Sequence, residues 1–256
     1  PATRDIRIAW WQVAVFAVAY YLLARLSFKL TIGESSLSAL WLPAGVYLAV
    51  LLASPPRQWR HFIIAACCAD LLATLGIGGG IVDGLGFAIT NSAGACLAAW
   101  LIRRWLKPPV ICHRIREIFV IIAVGMATAF FTGIAGALIS NLVYGVPLLE
   151  AWWVWWISDS TAIPLLTPAF LILIHTIQSG DKHPGKGIES WISLACLIIA
   201  ISTIFFSTRD ALFPLHSYMA LLPLLWIALR LGPAGNAVAI LITATIVLTG
   251  TWLGFG

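Results

Sequence analysis

The sequence predicts an all-α fold, a polytopic integral membrane helical bundle of about eight to ten transmembrane helices. Three observations carry this. Of the 256 residues, 61% are apolar and only 10% are charged, against about 25% charged in a soluble domain. Mean hydropathy is +0.98. The apolar residues collect in long runs separated by short basic or Pro/Gly connections. A spanning helix takes about 20 residues, so spans fill the chain and no separate soluble catalytic domain fits. The whole length, 1–256, reads as a single transmembrane domain.

Length, punctuation and charge divide the chain into nine apolar segments. They run Ala9 to Phe28, Leu37 to Ala53, His61 to Gly76, Ile81 to Ile102, Ile118 to Tyr144, Leu148 to His175, Trp191 to Phe206, Tyr218 to Leu229 and Ala234 to Leu253. The first is too long for the apolar region of a signal peptide. Pro43 starts or kinks the second segment. The fifth and sixth exceed one membrane thickness and predict tilting or a kink. The eighth is short for a full span.

Charge predicts the orientation. Twelve basic residues fall on one set of connections: Arg4, Arg7, Arg57, Arg60, Arg103, Arg104, Lys107, Arg114, Arg116, Lys182, Lys186 and Arg230. Only Arg25, Lys29 and Arg209 fall on the other. The positive-inside rule then makes the N-terminus cytoplasmic. Nine spans would leave Gly256 outside, so either a final helix is absent from this chain or one segment does not cross. The net charge of +5 is spread between apolar runs, which speaks for membrane orientation and against nucleic acid. Cys67, Cys68, Cys96, Cys112 and Cys196 form no CxxC pair and read as packing residues.

Small residues recur every fourth position at Gly84, Ala88, Ser92 and Cys96, and at Gly125, Ala129, Gly133 and Ala137. Such stripes let helix backbones approach closely, within the bundle or across a dimer.

The strongest functional pointer is the sixth segment, WWVWWISDSTAIP, from Trp152 to Pro164. Its tryptophans, Trp152, Trp153, Trp155 and Trp156, lie near the outer interface. There they either anchor in lipid or wall an outward pocket. Asp159 follows about ten residues into the run, roughly 15 Å deep. A carboxylate at that depth must face protein or water, or be protonated. Ser158, Ser160 and Thr161 flank it, and Pro164 breaks the helix ladder nearby. Asp70 and Asn91 reach a similar depth in the third and fourth segments. Two readings stay open for this cluster, a structural latch between helices and a ligand or proton site. No Lys or Arg sits at that level, so at least one of Asp70 and Asp159 is expected to be protonated or paired with a bound species.

Other polar features are weaker. Arg25 and Lys29 snorkel to the interface or join Glu34 and Glu150 in an outer ion pair or anion site. GIGGGIVDG, from Gly76 to Gly84, follows no strand and predicts a flexible outer turn. No catalytic triad, Cys/His pair or HExxH occurs, so no catalytic residue, metal site or cofactor is expected. Only His61 with His175, both near the inner surface, leaves a ligation open.

Five stretches, in order, carry a family resemblance. They are LWLPAGVYLAVLL (Leu40 to Leu52), SPPRQW (Ser54 to Trp59), NSAGACLAAWLIRRW (Asn91 to Trp105), WWISDSTAIPLLTPAFLIL (Trp155 to Leu173) and LPLLWIALRLGPAG (Leu222 to Gly235). Together they resemble MASE1 domains along nearly the whole chain. Ser158 and Ala162 stand where that pattern has glycine.

The resemblance implies a non-enzymatic sensory input domain in a bacterial inner membrane. Such domains feed a cytoplasmic output, a histidine kinase or a diguanylate cyclase or phosphodiesterase. It implies as partners the bilayer, an unknown small ligand or a partner membrane protein, the output domain of the parent protein and a homodimer. The proposed receptor surface is Trp152, Trp155 and Trp156 with Ser158, Asp159, Asp70 and Asn91. The alternative is a transporter or channel for a small solute or a proton, to which intramembrane acids are suited.

Overall fold

A computed structural model describes residues 9–31, 37–180, 187–206 and 217–254. Among these the fold is all-helical, with one isolated antiparallel bridge between Thr31 and Ser38. The helices are α1 (Trp10–Ser27), α2 (Leu42–Ala53), α3 (Trp59–Leu75), α4 (Ile81–Trp105), α5 (Ile115–Tyr144), α6 (Leu148–Ser179), α7 (Ile188–Phe206), α8 (Leu221–Arg230) and α9 (Gly232–Trp252). Each falls on one of the nine apolar segments. Four of them, α4, α5, α6 and α9, are long and apolar enough to cross a membrane. The ten residues of α8 span about 15 Å, half of a hydrocarbon core of about 30 Å.

The chain divides into two compact units, one of residues 1–110 and 116–167, the other of 111–115 and 168–256. In the first, α3 packs between α1 and α4, and α2 lies against α1 and α4. Phe16, Tyr20, Tyr47 and Phe62 interlock edge-on or tilted at its centre, with ring centroids 5.4–5.9 Å apart. In the second, α7, α8 and α9 bury Leu197, Ile201, Ile227, Leu231 and Ala239. There Arg230 meets the Glu189 carboxylate with two hydrogen bonds, 2.7 and 3.0 Å.

Pro43 starts α2, because its fixed φ suits a first helical turn and its missing N–H goes unneeded there. The N–H of Leu42 is received by Ser27 Oγ of α1 at 3.0 Å. The other end of α2 is capped from two directions. Trp59 Nε1 donates to the Leu51 carbonyl at 2.9 Å. Arg103 Nη2, from α4, reaches the carbonyls of Leu52 and Ser54 at 2.8 and 2.6 Å, and its guanidinium sits 5.6 Å from the Trp59 ring centre. Arg103, counted above as an orientation charge, is therefore also a helix cap.

One expectation is refined and one needs correction. α6 continues through both Pro164 and Pro168, each of which takes one N–H out of the ladder without ending the helix. With no water in an apolar setting to take over freed backbone groups, the rest of the ladder is retained. The turn after α3 is shorter than Gly76 to Gly84. Helix resumes at Ile81, and Asp83 is buried in the first turn of α4, where the Tyr144 hydroxyl donates to it.

Both small-residue stripes are used inside the chain. A Cβ on Gly84 would meet Leu71 and Thr74 of α3. A Cβ on Gly125 would strike Ile163, and on Gly133 would touch Trp152 and Trp155 of α6. Close backbone approach within the bundle accounts for them.

Candidate functional site

The site grows from a buried polar relay across three helices of the first unit. Tyr20 of α1 places its hydroxyl 3.2 Å from Asp70 Oδ2 of α3. Asn91 of α4 donates from Nδ2 to the same oxygen at 2.7 Å. Asp70 is 1% exposed, and its other oxygen, Oδ1, has no hydrogen-bond partner. Two donors on one oxygen compensate part of the cost of burying a carboxyl group; the second oxygen is left open.

Asp70 also lines a cavity of about 150 Å³. Asp70, Thr74 and Asn91 line one side, and Val154, Trp155, Ser158 and Asp159 of α6 line another. Phe28, Leu37, Ser38 and Trp41 close it from the α1–α2 connection, Ile77 to Gly79 from the α3–α4 turn, and Phe87 and Tyr144 from α4 and α5. These are the ends of the helices remote from Arg57, Arg60, Arg103 and Arg104. The connection is pinned by Ser38 Oγ, which donates to the Ser27 carbonyl at 2.7 Å.

Of eight buried polar side-chain atoms without a partner among the described residues, five belong to residues lining this cavity. They are Asp70 Oδ1, Asp159 Oδ1, Ser158 Oγ, Thr74 Oγ1 and Trp41 Nε1. Unsatisfied buried groups are rare in folded proteins, so their concentration around one void marks it as the place where polar contacts remain to be made. Among the described residues no Lys, Arg or His lines it.

The structure thus brings together Asp70, Asn91, Ser158, Asp159 and Trp155. It does not bring Trp152 and Trp156 to the same cavity. Those rings stack on each other at 5.6 Å and pack edge-on against Phe130. Their indole nitrogens donate to the α5 carbonyls of Phe130 and Met126 at 3.1 and 3.2 Å. Trp153 is 51% exposed. Only Trp155 turns inward, flat against Gly136, with Nε1 3.2 Å from Ser140 Oγ. The helical repeat alone does not make this split, since Trp152 stands seven residues before Asp159 on nearly the same line of the helix; the packing of Trp152 and Trp156 against Phe130 of α5 does.

Tyr20, Thr74, Trp41 and Tyr144 escaped the sequence reading. Tyr20 had a signal, since a tyrosine in the middle of an apolar run needs a partner for its hydroxyl. A second, smaller cavity of about 20 Å³ adjoins Tyr20, Tyr47, Asn91, Thr128 and Asp159, so Asp159 borders both.

Other expectations fare differently. Arg25 lies against the C-terminal end of α3, its Nη1 buried at Gly76 without a partner. Glu34, its suggested ion-pair partner, lies outside the described residues. His61 packs edge-on with Trp10, and His175 with His113. Among the described residues no three His, Cys, Asp or Glu side chains group to hold a metal.

Comparison with known proteins gives one family. The MASE1 family model matches residues 12–256. No curated protein and no solved structure matches the chain. With nearly its whole length matched, the chain belongs to the MASE1 family of membrane-associated sensor domains.

Proposed function

We propose that this MASE1 domain is the input half of a bacterial signalling protein, and that occupancy of the Asp70–Asp159 cavity sets the activity of a cytoplasmic output. The observation that carries the reading is the concentration of unpartnered polar groups around one void, five of the eight among the described residues. The domain sits in the inner membrane as a multi-pass protein with its N-terminus in the cytoplasm, as the basic connections favour. The cavity then opens outward and the basic ends face the output, a histidine kinase or a cyclic di-GMP enzyme. A ligand transmits a signal only through differential affinity for two arrangements of the bundle. The walls of this cavity come from the α1–α2 connection and from α3, α4, α5 and α6, so a ligand touching several of them favours one arrangement. Asp159→Asn in the full-length parent tests this. Output that no longer follows the stimulus, at normal membrane levels, supports the reading; an unchanged response removes it.

One observation favours a second reading. Asp159 borders both cavities, as an acid on a transport path would. Solute or proton uptake by the purified chain in liposomes would replace the sensor reading with a transporter.

A further inference from the structure

We propose that the larger cavity selects a small organic cation, an alkylammonium group held between Asp70 and Asp159 against aromatic walls. The inference rests on the receptor reading above and names the chemistry of that site.

The argument runs from charge, shape and lining. Asp70 Oδ1 and Asp159 Oδ1 are both buried acceptors without donors. The Asp70 carboxyl already receives Tyr20 and Asn91 on its other oxygen, a pattern suited to an acceptor. Two acids on one void repel an anion and leave buried charge uncompensated, which costs several kcal/mol in an apolar setting. Among the described residues no cationic side chain lines the cavity to offset them. A transition-metal site is disfavoured because no third His, Cys, Asp or Glu joins the acids among the described residues. Trp41 and Trp155 add aromatic faces, and an ammonium over such a face gains further attraction. Ser158 Oγ, unpartnered and 4% exposed, is free to accept an additional N–H. A volume of about 150 Å³ suits a ligand of about six non-hydrogen atoms, the size of benzene.

The test uses the full chain in nanodiscs with three probes of matched size, butylammonium, 1-butanol and butyrate, read by calorimetry and thermal shift. Butylammonium should bind saturably and raise the Tm, and butyrate should do neither. Asp159→Asn and Ser158→Ala should keep the fold, and Asp159→Asn should weaken butylammonium at least tenfold. Equal binding of 1-butanol and butylammonium, unchanged in Asp159→Asn, would overturn the cation and leave the receptor cavity standing. Binding of none of the three would also overturn it, while the receptor reading is judged separately by the output of Asp159→Asn in the parent.

Discussion

Asn91 and Tyr20 converge on a single oxygen of Asp70, Oδ2, at 2.7 and 3.2 Å, and leave the other oxygen buried without a hydrogen-bond partner. The arrangement ties α1, α3 and α4 together while keeping half of the carboxyl group available. The latch uses one oxygen, so it does not compete with the proposed ligand site for the second.

The shared oxygen makes the two donors energetically coupled. Tyr20→Phe should cost about 0.5–1.5 kcal/mol, the range for a hydrogen bond inside a membrane protein. Asn91→Ala should cost more, since it removes the shorter bond and some packing. The double variant should depart from the sum of the two, as groups in one network do. Thermal unfolding in a fixed detergent reads all three, and strict additivity would show that the two bonds are independent.

Arg103 and its neighbour Arg104 should behave differently although both count as inside charges. Arg103 holds the carbonyl end of α2, whereas Arg104 is exposed. Arg103→Ala should lower stability by about 1–3 kcal/mol through unsatisfied buried carbonyls. Arg103→Lys should rescue only part of this, because a single ammonium does not reproduce the planar guanidinium over Trp59. Arg104→Ala should leave the melting temperature unchanged. Equal effects at both positions would refute the capping role.

Much of the framework was legible because burial in hydrocarbon imposes a simple rule: backbone must hydrogen-bond to itself, so long apolar runs become helices. All nine did. The depth argument also placed Asp70, Asn91 and Asp159 near one another, since 1.5 Å per residue is a reliable ruler. Helix rotation was not legible. Trp152, Trp155 and Trp156 are identical as residue types, and only the packing of α5 against α6 decides that Trp155 alone turns toward the cavity. The Gly76 to Gly84 run misled for a related reason. Ile81 to Gly84 looks like loop punctuation, yet it opens α4, and the missing side chain of Gly84 lets that turn approach Leu71 of α3. Tertiary contact there overrides local propensity.

Gly45, inside the LPAG stretch, should tolerate almost nothing larger. A Cβ there would lie 2.6 Å from the Ala162 carbonyl oxygen and 2.7 Å from the Leu166 Cβ. The Gly45 carbonyl also accepts from Thr167 Oγ1 at 2.9 Å. Gly45→Val should push α2 from α6, with an overpacking cost of about 1–3 kcal/mol and a loss of folded protein in the membrane fraction. Gly145→Ala is a contrast of another kind. Nothing crowds that glycine, but its φ of 69° is unfavourable for an L side chain, so it should cost about 1 kcal/mol from backbone strain alone. Similar losses from Gly145→Ala and Gly145→Val, against a steep rise from Gly45→Ala to Gly45→Val, would separate strain from crowding.

Reporter fusions test the orientation directly. A fluorescent reporter joined after Lys107, beyond α4, should light up in the cytoplasm. Alkaline phosphatase joined after Gly145, in the α5–α6 turn, should be active outside. The opposite pair of results would place the Asp70–Asp159 cavity on the cytoplasmic side and invert the proposed direction of sensing.

The two faces of α6 give the sharpest separation of receptor from scaffold. Trp155 lines the cavity and packs on Gly136, while Trp152 and Trp156 pack with Phe130 outside it. Trp155→Ala removes a cavity wall and buried area, so it should lower stability by about 3–5 kcal/mol, the range for deleting a large aromatic. Trp155→Phe keeps an apolar ring but loses the contact to Ser140, and should fold with a milder loss. If the cavity is the receptor, Trp155→Phe in the full-length parent shifts the stimulus concentration needed for half-maximal output, whereas Trp152→Phe leaves it unchanged. Both variants lose one indole hydrogen bond to a neighbouring helix, so a general loss of helix packing would move them together. A shift confined to Trp155→Phe therefore reports on the cavity itself, and a shift of equal size in both would mean that output follows the stability of the bundle.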